Sequence, residues 1–364
     1  MTAPSPDDRM TNTRADAGIP LTRFPRFRAA LAWLYALGLV AVALTAYLAA
    51  DRWWPATLLA YAPKWPLLVP LPVLLLLALT ARRKRPILLP LALAILIAAF
   101  GVLGVRVSPT ALLRDARPDA FKIVTLNLHR GQTRTADLAA LIAADRPDVA
   151  VFQGWTDAHL AAVPQADGWH HRSDGALFVA SRHPVVDAHD LALDKLPARP
   201  PDSGVGLAVR YTLDTPAAGR VHVINVHLAS PHAAFDWLRA HGRAAGPVID
   251  ANSARRARES QIVADHAATL TGPVIIAGDF NTPPDSTVYR AAWAAFDNAF
   301  TEAGSGLGYT YVIRRVQLRI DHVLVAGGII TYRCRVERNV GSPHRPLFAE
   351  LLLPAASGQA STRP

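Results

Sequence analysis

The stretch that decides the fold is Val274-Ile275-Ile276-Ala277-Gly278-Asp279-Phe280-Asn281, in which an apolar run ends abruptly in polar residues. A short apolar run rich in β-branched side chains and bounded by a proline and a glycine predicts a buried strand, Pro273–Ala277. Side chains at the end of a strand lie at the edge of a sheet, where a rigid scaffold presents them to a cleft. We therefore expect Asp279 and Asn281 in a functional site, although the four residues Gly278-Asp279-Phe280-Asn281 alone also suit an ordinary turn.

Four other polar residues occupy comparable positions along the chain. A strand-terminal Asn or His is more often a turn former or a satisfied hydrogen-bonding group than a functional one, so none of them is decisive alone. Together with Asp279 and Asn281 they predict one shared polar cleft. These residues are Asn127 in VTLN, His227 in VINVH, Asp321 in IDH and His344 in SPH.

Short β-rich runs alternate with alanine-rich helical stretches over the second two-thirds of the chain. Many strands with few long helices predict an α+β or layered β-sandwich domain rather than a doubly wound one. The other predicted strands are Lys122–Asn127, Asp148–Gln153, Ala176–Ser181, Gly204–Leu213, Arg220–His227, Arg319–Ala326 and Leu347–Leu353. The predicted helices are Thr135–Ala144, Ala251–Leu270 and Thr287–Ala299.

The first third of the chain is of a different kind. The 364 residues are 51% hydrophobic and only 18% charged, which favours a membrane part. Three apolar runs, Ala29–Ala50, Trp65–Ala81 and Pro86–Val105, are each long enough to span a bilayer as a helix. The expected organisation is a disordered cytoplasmic leader (1–26), a three-helix membrane anchor (27–105), a linker (106–120), a folded domain (121–354) and a disordered tail (355–364).

The basic residues that flank these runs predict the orientation. Four cations, Arg82-Arg83-Lys84-Arg85, connect the second and third runs, and the first run is preceded by Arg14, Arg23, Arg26 and Arg28. Positively charged loops stay in the cytoplasm, so we expect the N-terminus inside and the C-terminal domain outside the cell membrane.

Charge and cysteine content bound the function only loosely. A formal net charge of +10 suits anionic partners such as phospholipid headgroups, other phosphates or nucleic acid. Nucleic acid is the weaker expectation, because the soluble part has no basic stretch interleaved with aromatic residues. The single cysteine, Cys334, excludes an intramolecular disulfide and a CxxC metal site.

The order of the motifs resembles the endonuclease/exonuclease/phosphatase (DNase I-like) superfamily, from about Phe121 to Leu353. GDFN is followed about forty residues later by IDH and then by an SxHxP-like element, and Ser181-Arg182-His183-Pro184 and the Arg258/Gln261 pair also fit. The superfamily includes nucleases, inositol-phosphate phosphatases and sphingomyelinases. A bacterial membrane-anchored subgroup with N-terminal transmembrane helices looks similar. The resemblance implies a four-layer α/β/β/α sandwich and chemistry on phosphate esters.

Hydrolysis of a phosphate ester needs a positioned water, a base and groups that stabilise charge on the phosphoryl oxygens. We expect Asp279 to be the base or to orient the water, with Asn281 donating to a phosphate oxygen. We expect His227 to donate to another oxygen and His344, oriented by Asp321, to stabilise the transition state. The resemblance implies the same roles.

The sequence departs from the family where the metal would bind. Family members carry a glutamate just after the second strand and an aspartate in a final S-D-H motif, and here Gly154 and Pro343 stand at those positions. The remaining candidate ligands for the expected Mg²⁺ or Mn²⁺ are Asn127 and Asp279. Gln153 points to the opposite face of the strand, so it cannot replace the glutamate.

Two nearby residues leave alternatives open for this incomplete site. Asp157 could reach back as a ligand, and His129 could contact phosphate or a softer metal, or simply be a polar rim residue. Restoring a carboxylate by Gly154→Glu is expected to strengthen Mg²⁺ binding.

Two functional hypotheses follow. The first is a membrane-anchored, metal-dependent phosphoesterase at the outer face of the bacterial cytoplasmic membrane. It would hydrolyse a phosphodiester or a phosphomonoester, with a lipid-linked phosphate as one candidate substrate. The second is a catalytically impaired domain of the same fold that binds a phosphate or a lipid headgroup.

Overall fold

The computed structural model describes residues 25–81, 84–108, 114–115, 117–165, 168–197 and 206–355. The predicted leader up to residue 24, the tail from 356, Arg82, Arg83 and Gly204 lie outside these ranges, as does part of the predicted linker. The described residues form a set of apolar helices and a domain of two β-sheets.

The first sheet has six strands. In spatial order they are β13 (Ile330–Val336), β14 (Leu347–Leu352), β1 (Phe121–Asn127), β2 (Val149–Gln153), β4 (Leu177–Ser181) and β3 (His170–Asp174). Only β1 and β2 are parallel, and the other neighbours are antiparallel.

The second sheet also has six strands. In order they are β5 (Val185–Asp190), β6 (Leu207–Thr215), β7 (Gly219–His227), β8 (Val274–Asp279), β12 (Asp321–Ala326) and β9 (Asp297–Asn298). Strands β7 and β8 are parallel, while β6 with β7 and β8 with β12 are antiparallel. A separate hairpin pairs β10 (Tyr311–Ile313) with β11 (Val316–Leu318).

The domain helices cover the outer faces of the two sheets. The first sheet packs on helix α5 (Thr135–Asp145) through Leu138, Leu141 and Ile142. The second sheet packs on helix α7 (Gly246–Thr269) through Val263 and Ala267. The inner faces share one apolar core. The helices are α5 (Thr135–Asp145), α6 (His232–His241), α7 (Gly246–Thr269), α8 (Thr287–Trp293) and α9 (Ala299–Ala303), with 3₁₀ turns at Asp157–Ala162, Leu193–Lys195 and Gly242–Ala245. The expected α/β/β/α layering is confirmed.

The apolar helices are α1 (Pro25–Ala49), α2 (Trp54–Tyr61), α3 (Pro70–Leu79) and α4 (Arg85–Leu96), with a 3₁₀ turn at Trp65–Leu68 and a π-helical end at Ile97–Val102. Two stretches, Arg26–Ala49 and Arg85–Val102, are long and apolar enough to cross a membrane. The pair Trp54–Tyr61 and Trp65–Leu79 is bent by 77°, and it adds a third span only if it is counted as one.

One predicted helix is wrong in its second half. The alanine-rich sequence of Thr287–Ala299 favours a helix throughout, but α8 ends at Trp293. The side chain of Asn298 accepts a hydrogen bond from the backbone N–H of Thr301 and so caps the separate helix α9. Strands β3, β5 and β13 were not predicted, because their polar, partly exposed residues lack the apolar signal of a buried strand.

The segment that follows α1 docks onto the sheet domain. Asp51 accepts a hydrogen bond from Arg256 of α7 at 3.2 Å, and both side chains are completely buried. Ser253 donates to the same carboxylate oxygen. Tyr61 at the end of α2 donates to the backbone oxygen of Asn281 at 2.7 Å. The connection between the apolar helices is therefore part of the folded domain.

We predict that Asp51→Ala destabilises the protein by about 3–5 kcal/mol, because it leaves the Arg256 guanidinium buried without its carboxylate. Denaturant unfolding of the full chain in detergent measures this. The matched control is Asp119→Ala, which removes an exposed partner of Arg117 and should change the stability little, because solvent screens a surface ion pair. Equal effects of the two changes would contradict a role for the buried pair in docking.

Candidate active site

Three neighbouring strands and one strand of the facing sheet bring the predicted residues together. In the second sheet, Asp279 is the register partner of His227 on β7 and of Asp321 on β12. Asn127, at the end of β1 in the first sheet, donates from Nδ2 to Oδ2 of Asp279 at 2.9 Å. The two sheets therefore meet at the Asp279 carboxylate.

Asp279 is 1% exposed, and both of its oxygens have partners. Its Oδ1 accepts the backbone N–H of Asn281 at 2.9 Å. The Nε2 atoms of His227 and His344 each lie 3.7 Å from Oδ2. One carboxylate oxygen thus has an imidazole on either side, in a setting where a bound water or phosphate oxygen could be shared among them.

His344 is held by Asp321. Its Nδ1 lies 2.9 and 3.0 Å from the two Asp321 oxygens. Because a carboxylate only accepts, Nδ1 carries a proton and Nε2 faces Asp279. Burial opposes the charged imidazolium, but the two nearby carboxylates outweigh it and raise the pKa of His344 to about 9. His344 is therefore a cation at neutral pH.

Two of the other imidazoles in the cleft, those of His227 and His129, are neutral at the same pH. Desolvation lowers the pKa of His227, despite the opposing influence of Asp279. Desolvation also lowers the pKa of His129, and the positive charge of nearby His344 adds to that effect. The site therefore combines one imidazolium with neutral rings, each of which has one donor and one acceptor nitrogen.

The loop that carries His344 is fixed by a hydroxyl group. Ser342 Oγ donates to the backbone oxygen of Asn127 at 2.7 Å and accepts the N–H of His344 at 3.0 Å. The carbonyl of Pro343 accepts the N–H of Val312 from the hairpin. The proline thus belongs to a loop that ties the imidazole of His344 to both sheets.

Asn281 lines the cleft, but its side-chain amide is hydrogen-bonded to the protein. Its Nδ2 donates to the backbone oxygen of Leu228 at 2.8 Å. Its φ of 49° also ends the extended conformation that would place it on the same side as Asp279. Donation from Asn281 to a phosphate oxygen stays a prediction, and the observed contacts give it a positioning role.

Sequence reasoning missed three residues at the site. His232 at the start of α6 lies 2.8 Å from the hydroxyl of Tyr311, whose ring packs against His344 at 4.9 Å. Tyr61 reaches the site from α2. No local motif marks these residues, because each comes from a segment that is remote in sequence and has no polar strand end.

Asp157, the alternative ligand left open by the sequence, does not converge on the site, and Gln153 points away from it as expected. Gln153 donates to Asn225 and Thr125 between the sheets, as its strand parity requires. Asp157 is exposed at the start of a 3₁₀ turn and does not line the cleft. Neither residue replaces the missing glutamate.

Gly154 is built into the backbone geometry. Its φ is +62°, and a Cβ there would lie 3.1 Å from the backbone nitrogen of Arg130 and from Oδ1 of Asn127, and 3.2 Å from the nitrogen of His129. Any side chain at this position is strained. Gly154→Glu would therefore strain the backbone and crowd these neighbours, and the stronger Mg²⁺ binding expected of it stays a prediction.

The donor atoms also do not fit a magnesium ion between Asn127 and Asp279. Oδ1 of Asn127 accepts the backbone N–H of His129 at 2.9 Å, and an N–H can only donate, so the amide orientation is fixed. The amide therefore turns its hydrogens, not its oxygen, toward Asp279. Magnesium requires convergent hard oxygen ligands, and only one carboxylate remains here.

Asp279, Asp321 and His344 could hold an ion by proximity alone, since one donor atom from each lies within 4.8 Å of the others. In this cluster, however, the proton on Nδ1 of His344 already lies between the imidazole and Asp321. An ion bound through Nδ1 would have to displace that proton. We therefore derive no chemical step from a bound metal.

A cleft of about 1130 Å³ opens in front of these residues. Its polar end contains Asn127, His129, Arg130, His227, Asp279 and His344. Its other end is apolar and is formed by Leu58 and Pro63 from the region of the apolar helices, Phe235 and Leu238 of α6, and Val316 and Leu318 of the hairpin. The cleft is thus amphipathic, and the ion pair of Asp236 and Arg239 on α6 also lines it.

These features match a known family. The model of the "Endonuclease/Exonuclease/phosphatase family" matches residues 124–344, more than half of the chain. The chain belongs to this family of phosphoesterases, whose members are generally hydrolytic and commonly use divalent metals. No curated protein matches the sequence.

Several solved structures are similar to this chain at low sequence identity. An endonuclease/exonuclease/phosphatase from Beutenbergia cavernae is 21% identical, with 64% of this chain and 71% of that chain covered and a TM-score of 0.48. A family protein from Bacteroides thetaiotaomicron is 17% identical, with 66% and 100% covered and a TM-score of 0.47. A mannosyl-6-phosphatase from the same species is 16% identical, with 64% and 100% covered and a TM-score of 0.44.

We predict that the imidazole of His344 titrates near pH 9 and that Asp321→Asn lowers this pKa by removing the adjacent negative charge. Histidine-selective ¹⁵N NMR measures both values, with His344→Gln assigning the resonance. His344 is charged below about pH 9 in the wild type, and in the variant it becomes neutral at a lower pH. The same midpoint in both proteins would contradict the pairing with Asp321.

Proposed function

We propose that the protein is a membrane-anchored hydrolase of phosphate esters. The observation that carries this proposal is the arrangement around Asp279, where a buried carboxylate has a neutral imidazole on one side and an imidazolium on the other. General base, hydrogen-bond donor and cation are the groups that hydrolysis of a phosphate ester requires.

Each group has a defined part in the reaction. Asp279 orients a water and accepts its proton as the water oxygen attacks phosphorus. His227 donates to a phosphoryl oxygen. His344, charged and held by Asp321, donates from Nε2 to the ester oxygen as the phosphorus–oxygen bond breaks, so the leaving alcohol departs neutral.

The shape of the cleft supports a substrate with an apolar chain. Its apolar end is built partly from the anchor, and Tyr61 of α2 is hydrogen-bonded to the loop that follows Asp279. A phosphate ester linked to a lipid would place its headgroup at the charged end and its chain along the apolar end. The lipid bilayer is then both the attachment site and the source of substrate.

The second candidate is a non-catalytic domain that binds a phosphate or a lipid headgroup. It is favoured by one specific observation, the loss of both family carboxylates at Gly154 and Pro343. The retained relay of Asp321, His344 and Asp279 favours hydrolysis, because simple binding of an anion does not need two buried carboxylates beside it.

We predict that Asp279→Asn lowers the rate of phosphate-ester hydrolysis by about 10²–10⁴-fold, because the amide cannot accept the proton of the attacking water. The assay uses the full chain in detergent with chromogenic phosphate monoesters and diesters, with and without a long alkyl chain. The long-chain ester should have the higher kcat/KM.

The matched control is Asp265→Asn, which makes the same chemical change at an exposed residue of α7. It should leave the rate within about twofold of wild type, in keeping with the small effects of surface substitutions. A wild-type rate in Asp279→Asn would remove Asp279 from the mechanism. No turnover of any ester by the wild type would favour the binding domain.

The proposed location is the outer face of the bacterial cytoplasmic membrane, as the flanking cations predict. Alkaline phosphatase fused after Pro364 should be active, because it folds only outside the cytoplasm. A fluorescent reporter that matures only in the cytoplasm should stay dark at the same position. The opposite pair of results would place the catalytic domain inside the cell.

A further inference from the structure

The space of the family glutamate is taken by the loop that follows β1. His129, Arg130 and Gly131 have φ values of 49°, 50° and 91°, three consecutive residues in the left-handed region. This turn brings the backbone nitrogens of His129 and Arg130 against Gly154, at the distances given above. The turn therefore crowds the position at which family members carry the glutamate.

The turn places a cation at the charged end of the cleft. Arg130 is exposed and lines the cleft beside His129 and His227. Within the described ranges its guanidinium has no carboxylate or hydrogen-bond partner. Arg239, the other arginine that lines the cleft, is paired with Asp236. Arg130 is thus an unpaired positive charge in the cleft that also contains Asp279 and the imidazoles of His129 and His227.

We propose that Arg130 takes the part of the family's metal ion, so that the site binds and neutralises a phosphate group without a divalent cation. A guanidinium can bind two phosphate oxygens through parallel hydrogen bonds and remains charged at any physiological pH. Arg130 and His344 then supply two positive charges from opposite sides of the phosphate.

The chemistry of this arrangement balances without a metal. The water oxygen forms a bond to phosphorus, its proton moves to Asp279, and the bond to the ester oxygen breaks as that oxygen takes the proton of His344. Arg130 exchanges no proton and stabilises the charge on the phosphoryl oxygens. This inference rests on the proposed function for the position of the phosphate, but binding can be tested separately from turnover.

The test is a calorimetric titration of the full chain in detergent with inorganic phosphate, in EDTA and again in Mg²⁺. We expect the same affinity within about twofold in both buffers. Arg130→Ala should weaken phosphate binding at least about tenfold, because hydrogen bonds to charged groups are worth more than the 1.4 kcal/mol that corresponds to tenfold. Arg130→Lys, which keeps the charge but not the paired donors, should lie between.

The matched control is Arg134→Ala, which removes an exposed arginine of the same loop that is paired with Asp137 and should leave the affinity unchanged. Phosphate binding that requires Mg²⁺, or that is unchanged in Arg130→Ala, would overturn the inference, as would a lack of binding in either buffer. Binding in EDTA that depends on Arg130, without hydrolysis of any ester, would support the inference while refuting the proposed function.

Discussion

The carboxylate of Asp279 is the group on which the rest of the site depends. A charge with 1% exposure is costly unless hydrogen bonds and nearby cations offset its desolvation. Here the compensation comes from both sheets, through Asn127 on β1, the backbone of Asn281, and His344 beyond β12. The need to satisfy one buried charge therefore fixes the edges of both sheets relative to each other.

A second buried charge links the anchor to this site. Asp51 and Arg256 pair between the end of α1 and the long helix α7, and the same segment continues through α2 to Tyr61. The hydroxyl of Tyr61 donates a hydrogen bond to the backbone oxygen of Asn281, two residues after Asp279. The apolar helices and the polar residues of the cleft are therefore coupled by a short path of packed groups. This explains how one cleft has a charged end and an end built partly from the anchor.

The sequence was most informative where function lies at strand ends. Asn127, His227, Asp279, Asp321 and His344 could be predicted because apolar runs end at or near them, and the structure brings all five together. The turn at His129 and Arg130 could not be predicted, because its consequence depends on contact with Gly154 across two strands. The docking of α2 was hidden for a similar reason, since its apolar composition suited a membrane helix as well as a buried one.

The central claim is that a phosphate group binds between Asp279, His227 and His344 with Arg130 as the added cation. A crystal structure of the full chain grown with phosphate and Mn²⁺ tests it most directly, because manganese is identified by its anomalous scattering. The account predicts phosphate oxygens within hydrogen-bonding distance of Arg130 and of Nε2 of His344, and no manganese peak between Asn127 and Asp279. A manganese ion bound by those two residues, with Arg130 turned away from the phosphate, would contradict it.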